Sequence, residues 1–222
     1  MLTISQIVNR YIQTTPYIEE ALEKRLINLS SLARYIKPYI ESELFKKIKL
    51  GAIIMALKRQ NINMSKDRSN LSQTLRQLGD ITVRSNLIEY TFTNSDTLVY
   101  KHAKLLKKIE KSKNTFLTIT HGIFETTLFG SSIIENDIRN IFKEEDLVSI
   151  LKNLSSITIK LPENTVKTPG VHYAILKQLA WQNINVIDSV STYTEFTIVL
   201  DSKQTDIAFS VLNKSLGKSQ VI

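Results

Sequence analysis

The chain has no cysteine among its 222 residues. It therefore forms no disulfide, and it has neither a thiolate metal site nor a cysteine nucleophile. No apolar run approaches the roughly 18 residues that cross a bilayer. The first residues, Met1–Ser5, also lack the basic and apolar blocks of a signal peptide. We therefore expect a cytoplasmic protein with no membrane partner.

Residues that mark active sites are also scarce. The three histidines, His102, His121 and His172, lie in separate segments and show no spacing typical of metal ligands. The sequence has no G-x-S-x-G and no glycine-rich phosphate loop. Gly130 and the two serines after it follow a strand and precede a helix, but without a P-loop lysine we interpret them as a turn and a helix cap. We expect no catalytic residue, no metal and no cofactor.

The charge is unevenly distributed along the chain. The formal net charge is +8, and the basic excess lies in residues 1–62 and 63–115, whereas residues 116–222 are slightly acidic. A basic front half suits a polyanionic partner. The alternative is that these lysines and arginines only solvate helix faces.

Amphipathic helices are predicted throughout residues 1–62. Their starts are marked by capping residues or proline: Thr3 or Ser5, Pro16, and Asn28 or Ser30. A last, strongly apolar helix runs from about Ile48 to Leu57 and ends near Lys58 and Arg59. We predict a small helical domain over residues 1–62.

The segment Leu29–Ile36 is similar to the first helix of a helix-turn-helix, because the small Ala33 lets another helix approach closely. The next helix does not have the composition of a recognition helix, since residues 50–56 contain no side chain that hydrogen-bonds base edges. Phosphate contacts remain open to the basic residues at its ends: Lys46, Lys47, Lys49, Lys58 and Arg59. The domain is therefore either a DNA-binding module or a helical packing or dimerisation domain.

The C-terminal part, residues 155–222, predicts the order β-α-β-β-α. Ile157 and Ile159 alternate with polar residues as in a half-buried strand. Thr168 and Pro169 indicate a cap and first turn of a helix. Two strand-like segments, 185–190 and 194–200, and an amphipathic helix over 207–216 follow. This order predicts helices packed on an antiparallel sheet.

Residues 81–154 repeat the same order with little sequence identity. Strand-like segments at 81–93, 116–120 and 125–130 alternate with a basic helix over Ser95–Ser112 and a helix over Ile133–Phe142. Leu147–Leu154 is also predicted as helix. Residues 63–80 form a polar linker, in which the spacing of Leu71, Leu75 and Leu78 indicates some helix.

The C-terminal repeat resembles the ACT domain, most closely the version at the C-terminus of aspartate kinases. The matching segments are Lys167–Val171, Leu179–Ala180 with Ile184–Val186, and Glu195–Asp201. The resemblance implies two ferredoxin-like βαββα(β) ACT-type units, at 81–154 and 155–222. With the helix-turn-helix-like domain before them, we expect an α+β protein. The Lys-Phe-Gly-Gly type motif of the kinase domain is absent, so the resemblance extends to regulation and not to catalysis.

In ACT domains that bind amino acids, the loop before the first helix and the start of the next strand form the site. Carried over, this site comprises Thr168, Pro169, Gly170 and Val171 on the loop, with Asn185, Val186 and Ile187 on the strand. In the first repeat Asp96 would occupy the positive end of the helix and repel an anion, which favours the second repeat. The alternative is that Thr168 caps a helix, Gly170 relieves crowding and Asn185 closes a turn.

These observations predict a non-catalytic regulatory protein that binds a small amino acid effector and forms a homodimer through its ACT domains. The alternative is an amino-acid-responsive DNA-binding transcriptional regulator that uses the basic N-terminal domain.

Overall fold

The computed structural model describes residues 2–110 and 115–216. The chain divides into two compact units, Met1–Gln73 and Thr74–Ile222. Each unit has an apolar core of its own. The domain boundaries expected from the sequence stay a prediction, and the predicted helix end at Ser112 lies outside the described residues.

The first unit is helical. Its helices are α1 (Ile4–Gln13), α2 (Pro16–Glu23), α3 (Leu29–Leu44) and α4 (Leu50–Arg76), the last of which continues past Gln73. The Thr3 hydroxyl accepts a hydrogen bond from the Gln6 amide, and the Gln6 side chain accepts one from the Thr3 amide. Asn28 caps α3 by accepting from the amides of Ser30 and Ser31. These caps satisfy backbone donors that the first helical turn leaves free.

Apolar residues at helical spacing meet in the core of the first unit. The buried members are Ile7, Val8, Ile12, Leu22, Leu32, Ala33, Ile36, Ile40, Ile48, Ile53, Ala56 and Leu57. Full burial of one such aliphatic side chain contributes about 1.5–3 kcal/mol relative to leaving it in water. The stripes predicted for these helices therefore correspond to real packing surfaces.

Helix α4 is longer than the sequence predicts. We expected it to end near residue 62 and to be followed by a polar linker, but it continues to Arg76. Residues 52–78 contain neither proline nor glycine, so nothing in the local sequence breaks the helix before Gly79. The spacing of Leu71, Leu75 and Leu78 correctly indicated helix within this polar segment.

The second unit is built on an antiparallel six-stranded sheet with the strand order β2-β3-β1-β4-β6-β5. The first repeat comprises β1 (Ile81–Thr93), α5 (Leu98–Ile109), β2 (Leu117–His121), β3 (Glu125–Ser131) and α6 (Glu135–Ile141). The second comprises β4 (Leu147–Lys160), α7 (Val171–Ala180), β5 (Asp188–Ser191), β6 (Glu195–Asp201) and α8 (Thr205–Leu216). Both repeats have the predicted order β-α-β-β-α.

The predicted helix over Leu147–Leu154 is wrong, because these residues form the first half of β4. They pair with β1, for example Tyr90 with Ile150 and Leu87 with Leu154. Apolar residues at both helical and alternating spacing left the local pattern ambiguous. The neighbouring strand, more than 50 residues away in sequence, decides the outcome.

The long strands β1 and β4 each serve both repeats. The second half of β1, Leu87–Thr93, pairs with β3, and its first half, Ile81–Arg84, pairs with the second half of β4. In the same way, β4 pairs with β6 through Leu154–Lys160, while its pairing with β1 extends from Leu147 to Ile159. The two repeats therefore share one continuous sheet.

The helices of the first repeat pack on one face of this sheet. Ile88, Tyr90 and Phe92 alternate along β1 and contact Leu98 and Leu105 of α5 and other residues of the same buried cluster. A second cluster contains Leu87, Phe129, Leu154 and Val199, with Phe116 and Ile187 partly buried against it. Because Leu87 alternates with Ile88, this second cluster lies on the opposite face of the sheet.

Candidate functional site

The connection from β4 to α7, residues 161–170, forms one wall of a pocket of about 380 Å³. Within it, the Thr165 amide donates to the Pro162 carbonyl and the Thr168 amide donates to the Thr165 carbonyl. These bonds fold residues Glu163–Lys167 into a short 3₁₀ turn. The loop thereby curls back on itself and leaves a concave surface.

The opposite wall is the turn between β5 and β6. It lies beside the loop because β4 and β6 are paired as far as Lys160 and Glu195, and the Leu161 amide donates to the Thr194 carbonyl. With His172 of α7, the residues that line the pocket are Leu161, Thr165, Val166, Lys167, Thr168, Pro169, Gly170, Ser191, Thr192 and Tyr193.

Part of the predicted ligand site lies in this pocket. Thr168, Pro169 and Gly170 line it, whereas the Val171 side chain is buried at the start of α7. Gly170 precedes the helix with a φ of 88°, in the left-handed region that favours glycine. The sequence predicts Thr168 as the cap and Pro169 as the first helical residue, and this is wrong, since α7 begins at Val171 after Gly170.

The other part of the predicted site, Asn185, Val186 and Ile187, lies between α7 and β5 and is not among the residues that line the pocket. The Ile187 amide donates to the Val199 carbonyl, and the Ile187 side chain packs against the cluster on the second face of the sheet. The structure brings Ser191, Thr192 and Tyr193 to the pocket instead. The sequence indicates the turn between β5 and β6, but only the pairing of β4 with β6 brings that turn beside the loop.

Thr165 is the most informative residue of the pocket. The residue is 7% exposed, and its hydroxyl has no hydrogen-bond partner among the described residues. An unsatisfied buried hydroxyl costs about 1–3 kcal/mol, so such groups mark places where a partner is missing. This hydroxyl belongs to a side chain that lines the pocket.

The charge and shape of the pocket suit an anionic group. Among the lining residues only Lys167 carries a formal charge. The first turn of α7 adds backbone amides and the partial positive charge of a helix N-terminus. The His172 ring packs edge-to-face on Phe196, with centroids 4.6 Å apart, and this contact holds one side of the pocket in place.

The loop is anchored from outside the pocket by Thr74 in the last turns of α4. The Thr168 and Thr74 hydroxyls lie 3.2 Å apart, and the Asn164 amide group donates to the Thr74 hydroxyl at 3.2 Å. The Thr168 hydroxyl also donates to the Asn164 carbonyl at 2.9 Å. Because Thr74 is 1% exposed, its own hydroxyl is shielded from water.

The matching connection in the first repeat, residues 94–97, is much shorter. A carboxylate does lie at the start of α5, as the sequence predicts, but it does not belong to the predicted residue, Asp96. Asp96 is exposed, and the carboxylate is that of Glu145, which accepts hydrogen bonds from the Ser95 and Thr97 hydroxyls. Burial alone would raise the pKa of Glu145, but hydrogen bonds from Lys101, Ser95 and Thr97 outweigh it and lower the pKa to about 2.

The candidate phosphate contacts lie in the first unit. Lys46, Lys47 and Lys49 are exposed in the connection between α3 and α4, and Lys58 and Arg59 are exposed on α4. Between them, the exposed residues Gly51, Ala52 and Met55 offer no side-chain hydrogen-bond donor. Among the described residues, no group of three or more histidine or acidic side chains is suited to a metal ion, and no helix is long and apolar enough to cross a membrane.

Comparison with protein families and with curated proteins finds no match to this chain. Solved structures do match. The regulatory subunit of aspartate kinase from Thermus thermophilus has a TM-score of 0.51 at 8% identity, over 62% of this chain and 97% of that chain. The alpha and beta subunits of aspartokinase have a TM-score of 0.51 at 14% identity, over 64% of this chain and 99% of that chain.

Longer aspartate kinases match over part of their length. The enzyme from Clostridium acetobutylicum has a TM-score of 0.51 at 15% identity, over 62% of this chain and 34% of that chain. This chain therefore spans about a third of that kinase. At these identities the likeness concerns the fold, and it confirms the resemblance inferred from the sequence: the chain contains the ACT-type fold of aspartate kinase regulatory subunits.

Proposed function

We propose that the chain is a regulatory protein without catalytic activity of its own, whose second ACT-type repeat binds a small amino acid. The observation that carries this proposal is the pocket at the start of α7, which Thr165 lines and where the buried hydroxyl of this residue has no partner among the described residues. The fold supports it, because a solved structure that matches over 97% of its own length is described as the regulatory subunit of aspartate kinase.

The pocket has a suitable size and chemistry for such a ligand. Its volume of about 380 Å³ lies near the lower end of small-molecule sites, which range over about 300–1,000 Å³. The ligand carboxylate would lie by Lys167 and the first amides of α7, beside Thr168, Pro169 and Gly170. The Thr165 hydroxyl and the polar turn at Ser191 would remain for the rest of the ligand.

A homodimer would give a role to the three predicted site residues outside the pocket, Asn185, Val186 and Ile187. They precede β5, which lies at one edge of the sheet and is paired on one side, to β6. A second chain that adds to this edge would contact them and would satisfy the free backbone groups of the edge strand. We therefore infer that these residues lie at a homodimer contact at the start of β5.

A thermal-shift screen of the twenty amino acids tests the proposal. One or two of them should raise the melting temperature in a saturable way, since a ligand at 100 times its Kd stabilises the folded state by about 2.7 kcal/mol. Lys167→Gln should weaken the response, and Lys203→Gln, a similar charge change outside the pocket, should not. Flat curves for all twenty would contradict the proposal. Assays with ATP and aspartate should show no turnover.

A second candidate function is amino-acid-responsive DNA binding through the first unit. The observation that favours it is the exposure of Lys46, Lys47 and Lys49 within one short connection between helices. Because the exposed residues of α4 between Lys49 and Leu57 offer no donor for base edges, binding would rest on phosphates alone and would be strongly salt-dependent.

A matched pair of triple variants tests this candidate. Changing Lys46, Lys47 and Lys49 to glutamine should reduce the magnitude of the slope of log affinity against log salt concentration by about 2–3. Changing the exposed Lys104, Lys107 and Lys203 to glutamine alters the net charge equally and should have little effect. Equal losses in the two variants would show non-specific attraction and would remove this candidate.

A further inference from the structure

The first repeat holds a carboxylate in a set of converging donors. The Lys101 ammonium lies 2.6 Å from Glu145 Oε1. The Thr97 hydroxyl donates to Oε1 at 2.5 Å, and the Ser95 hydroxyl donates to Oε2 at 2.6 Å. Both oxygens of the carboxylate are therefore engaged by charged or hydroxyl donors, which form the stronger class of hydrogen bond.

This arrangement is shielded from water. The Glu145 side chain is 3% exposed and that of Lys101 is 14% exposed. An exposed ion pair contributes little to stability, but a buried pair with every oxygen hydrogen-bonded is held in one geometry. The donors come from the connection before α5 and from its first turn, whereas Glu145 comes from the segment between α6 and β4.

The donors occupy the position that corresponds to the ligand loop of the second repeat. The Asn94 amide donates to the Phe124 carbonyl in the first repeat, as the Leu161 amide donates to the Thr194 carbonyl in the second. Both connections thus begin beside a hairpin turn and lead into the first helix of their repeat. In the shorter connection, 94–97, the hydroxyls of Ser95 and Thr97 bind a side chain of the same protein, Glu145.

We propose that Ser95, Thr97 and Lys101 form a carboxylate-binding site that the chain fills with its own Glu145, and that a small free carboxylate binds there when this side chain is absent. The ligand class is a monocarboxylate. Glu145 acts as an internal ligand, so the first repeat is permanently occupied. The proposal does not depend on amino acid binding by the second repeat.

The segment that carries Glu145 is coupled to the central strands. The neighbouring residue, Asp146, accepts from the Thr93 amide through its carbonyl and from the Thr93 hydroxyl through its carboxylate, each at 2.9 Å. Thr93 is the last residue of β1, and β4 begins at Leu147. Loss of Glu145 from its site should therefore loosen the adjoining ends of β1 and β4 as well.

Chemical rescue tests the proposal directly. Glu145→Ala removes one methylene and one carboxylate, and acetate supplies the same groups. The variant should melt at a lower temperature than the parent in chloride buffer. Acetate should restore the melting temperature saturably, with half-saturation on the order of 10 mM as expected for so small a ligand. Chloride at equal ionic strength should not.

Two controls make the result specific. Glu144→Ala changes the exposed neighbour and should show no acetate response beyond that of the parent. The double variant Glu145→Ala with Lys101→Ala should lose the rescue, because the cationic donor is gone. Rescue that persists in the double variant, or no rescue of the single variant, would overturn the proposal.

A folding readout covers the case in which Glu145→Ala is unfolded in chloride. Far-UV circular dichroism after refolding in acetate should then show recovery of helix and sheet. Refolding in acetate but not in chloride supports an open carboxylate site. Failure in both buffers contradicts it.

Discussion

Asn86 and Asn153 occupy equivalent positions in β1 and β4, and both have left-handed backbones, with φ values of 57° and 56°. Each is followed by a leucine, and these leucines, Leu87 and Leu154, pair with one another in the sheet. The register between the two strands shifts at this place. The asparagines therefore mark the point at which each long strand passes from one repeat to the other.

The first prediction concerns this backbone. Asparagine tolerates the left-handed region, whereas the same backbone conformation costs a β-branched residue about 1–2 kcal/mol of conformational energy. Asn86→Val and Asn153→Val should each lower the free energy of unfolding by about that amount, and Asn→Gly should change it by about 0.5 kcal/mol or less. Urea titration measures both. Valine variants as stable as the parent would mean that the strands adjust without strain, and Ser85→Val serves as a neighbouring control.

Thr165→Val separates ligand binding from folding. The two side chains have similar shapes, and the hydroxyl has no partner among the described residues, so stability without ligand should stay the same or rise by up to about 1 kcal/mol. The response to the stabilising amino acid should weaken about tenfold or more. Thermal-shift titrations of the variant and of Thr118→Val, in the first repeat, make the comparison. An unchanged ligand response would place the ligand elsewhere.

The anchor of the ligand loop gives a third prediction. Thr74→Val removes the acceptor of the Asn164 amide group and the neighbour of the Thr168 hydroxyl. The free energy of unfolding should fall by about 1–2 kcal/mol, because partners of a buried hydroxyl are left unpaired. Hydrogen exchange should speed up first at residues 163–168. If these amides keep their protection while others lose it, Thr74 does not anchor the loop.

The acidity of Glu145 predicts a dependence of stability on pH. Its pKa is about 2 in the folded chain, below the ordinary value near 4.5, so its contribution is present above pH 4.5 and is lost as the pH falls towards 2. The shift corresponds to at most about 3 kcal/mol. Glu145→Gln should therefore be less stable than the parent at pH 7, and the difference should shrink on acidification. A constant difference from pH 7 to pH 3 would contradict this.

For Glu89 we expect the opposite dependence of stability on pH. Burial raises the pKa of this carboxyl, and the nearby Asp188 raises it further, while Oε2 has no partner among the described residues. Its neutral form suits the fold, so the chain loses stability as the pH rises through the raised value. Glu89→Gln should stabilise the protein more at pH 8 than at pH 4. A larger gain at pH 4 would show that the charged form is the better accommodated one.

The sequence alone determines much of the local structure. The apolar stripe of α1, with Ile7, Val8 and Ile12 buried, follows from helical spacing and from the cap at Thr3. The order β-α-β-β-α in each repeat follows from alternation and turn residues. These signals succeed because each depends on residues a few positions apart, whose contacts form within one element.

Only the tertiary structure decides the features that join distant residues. Leu147–Leu154 is a strand because β1 offers it backbone partners, although its own pattern also suits a helix. Glu145, and not Asp96, meets Ser95 because the sheet and α6 return the chain to that point. The ligand pocket pairs the loop with Ser191–Tyr193 because antiparallel pairing of β4 and β6 aligns their ends. Such contacts depend on strand register and burial, which local sequence does not encode.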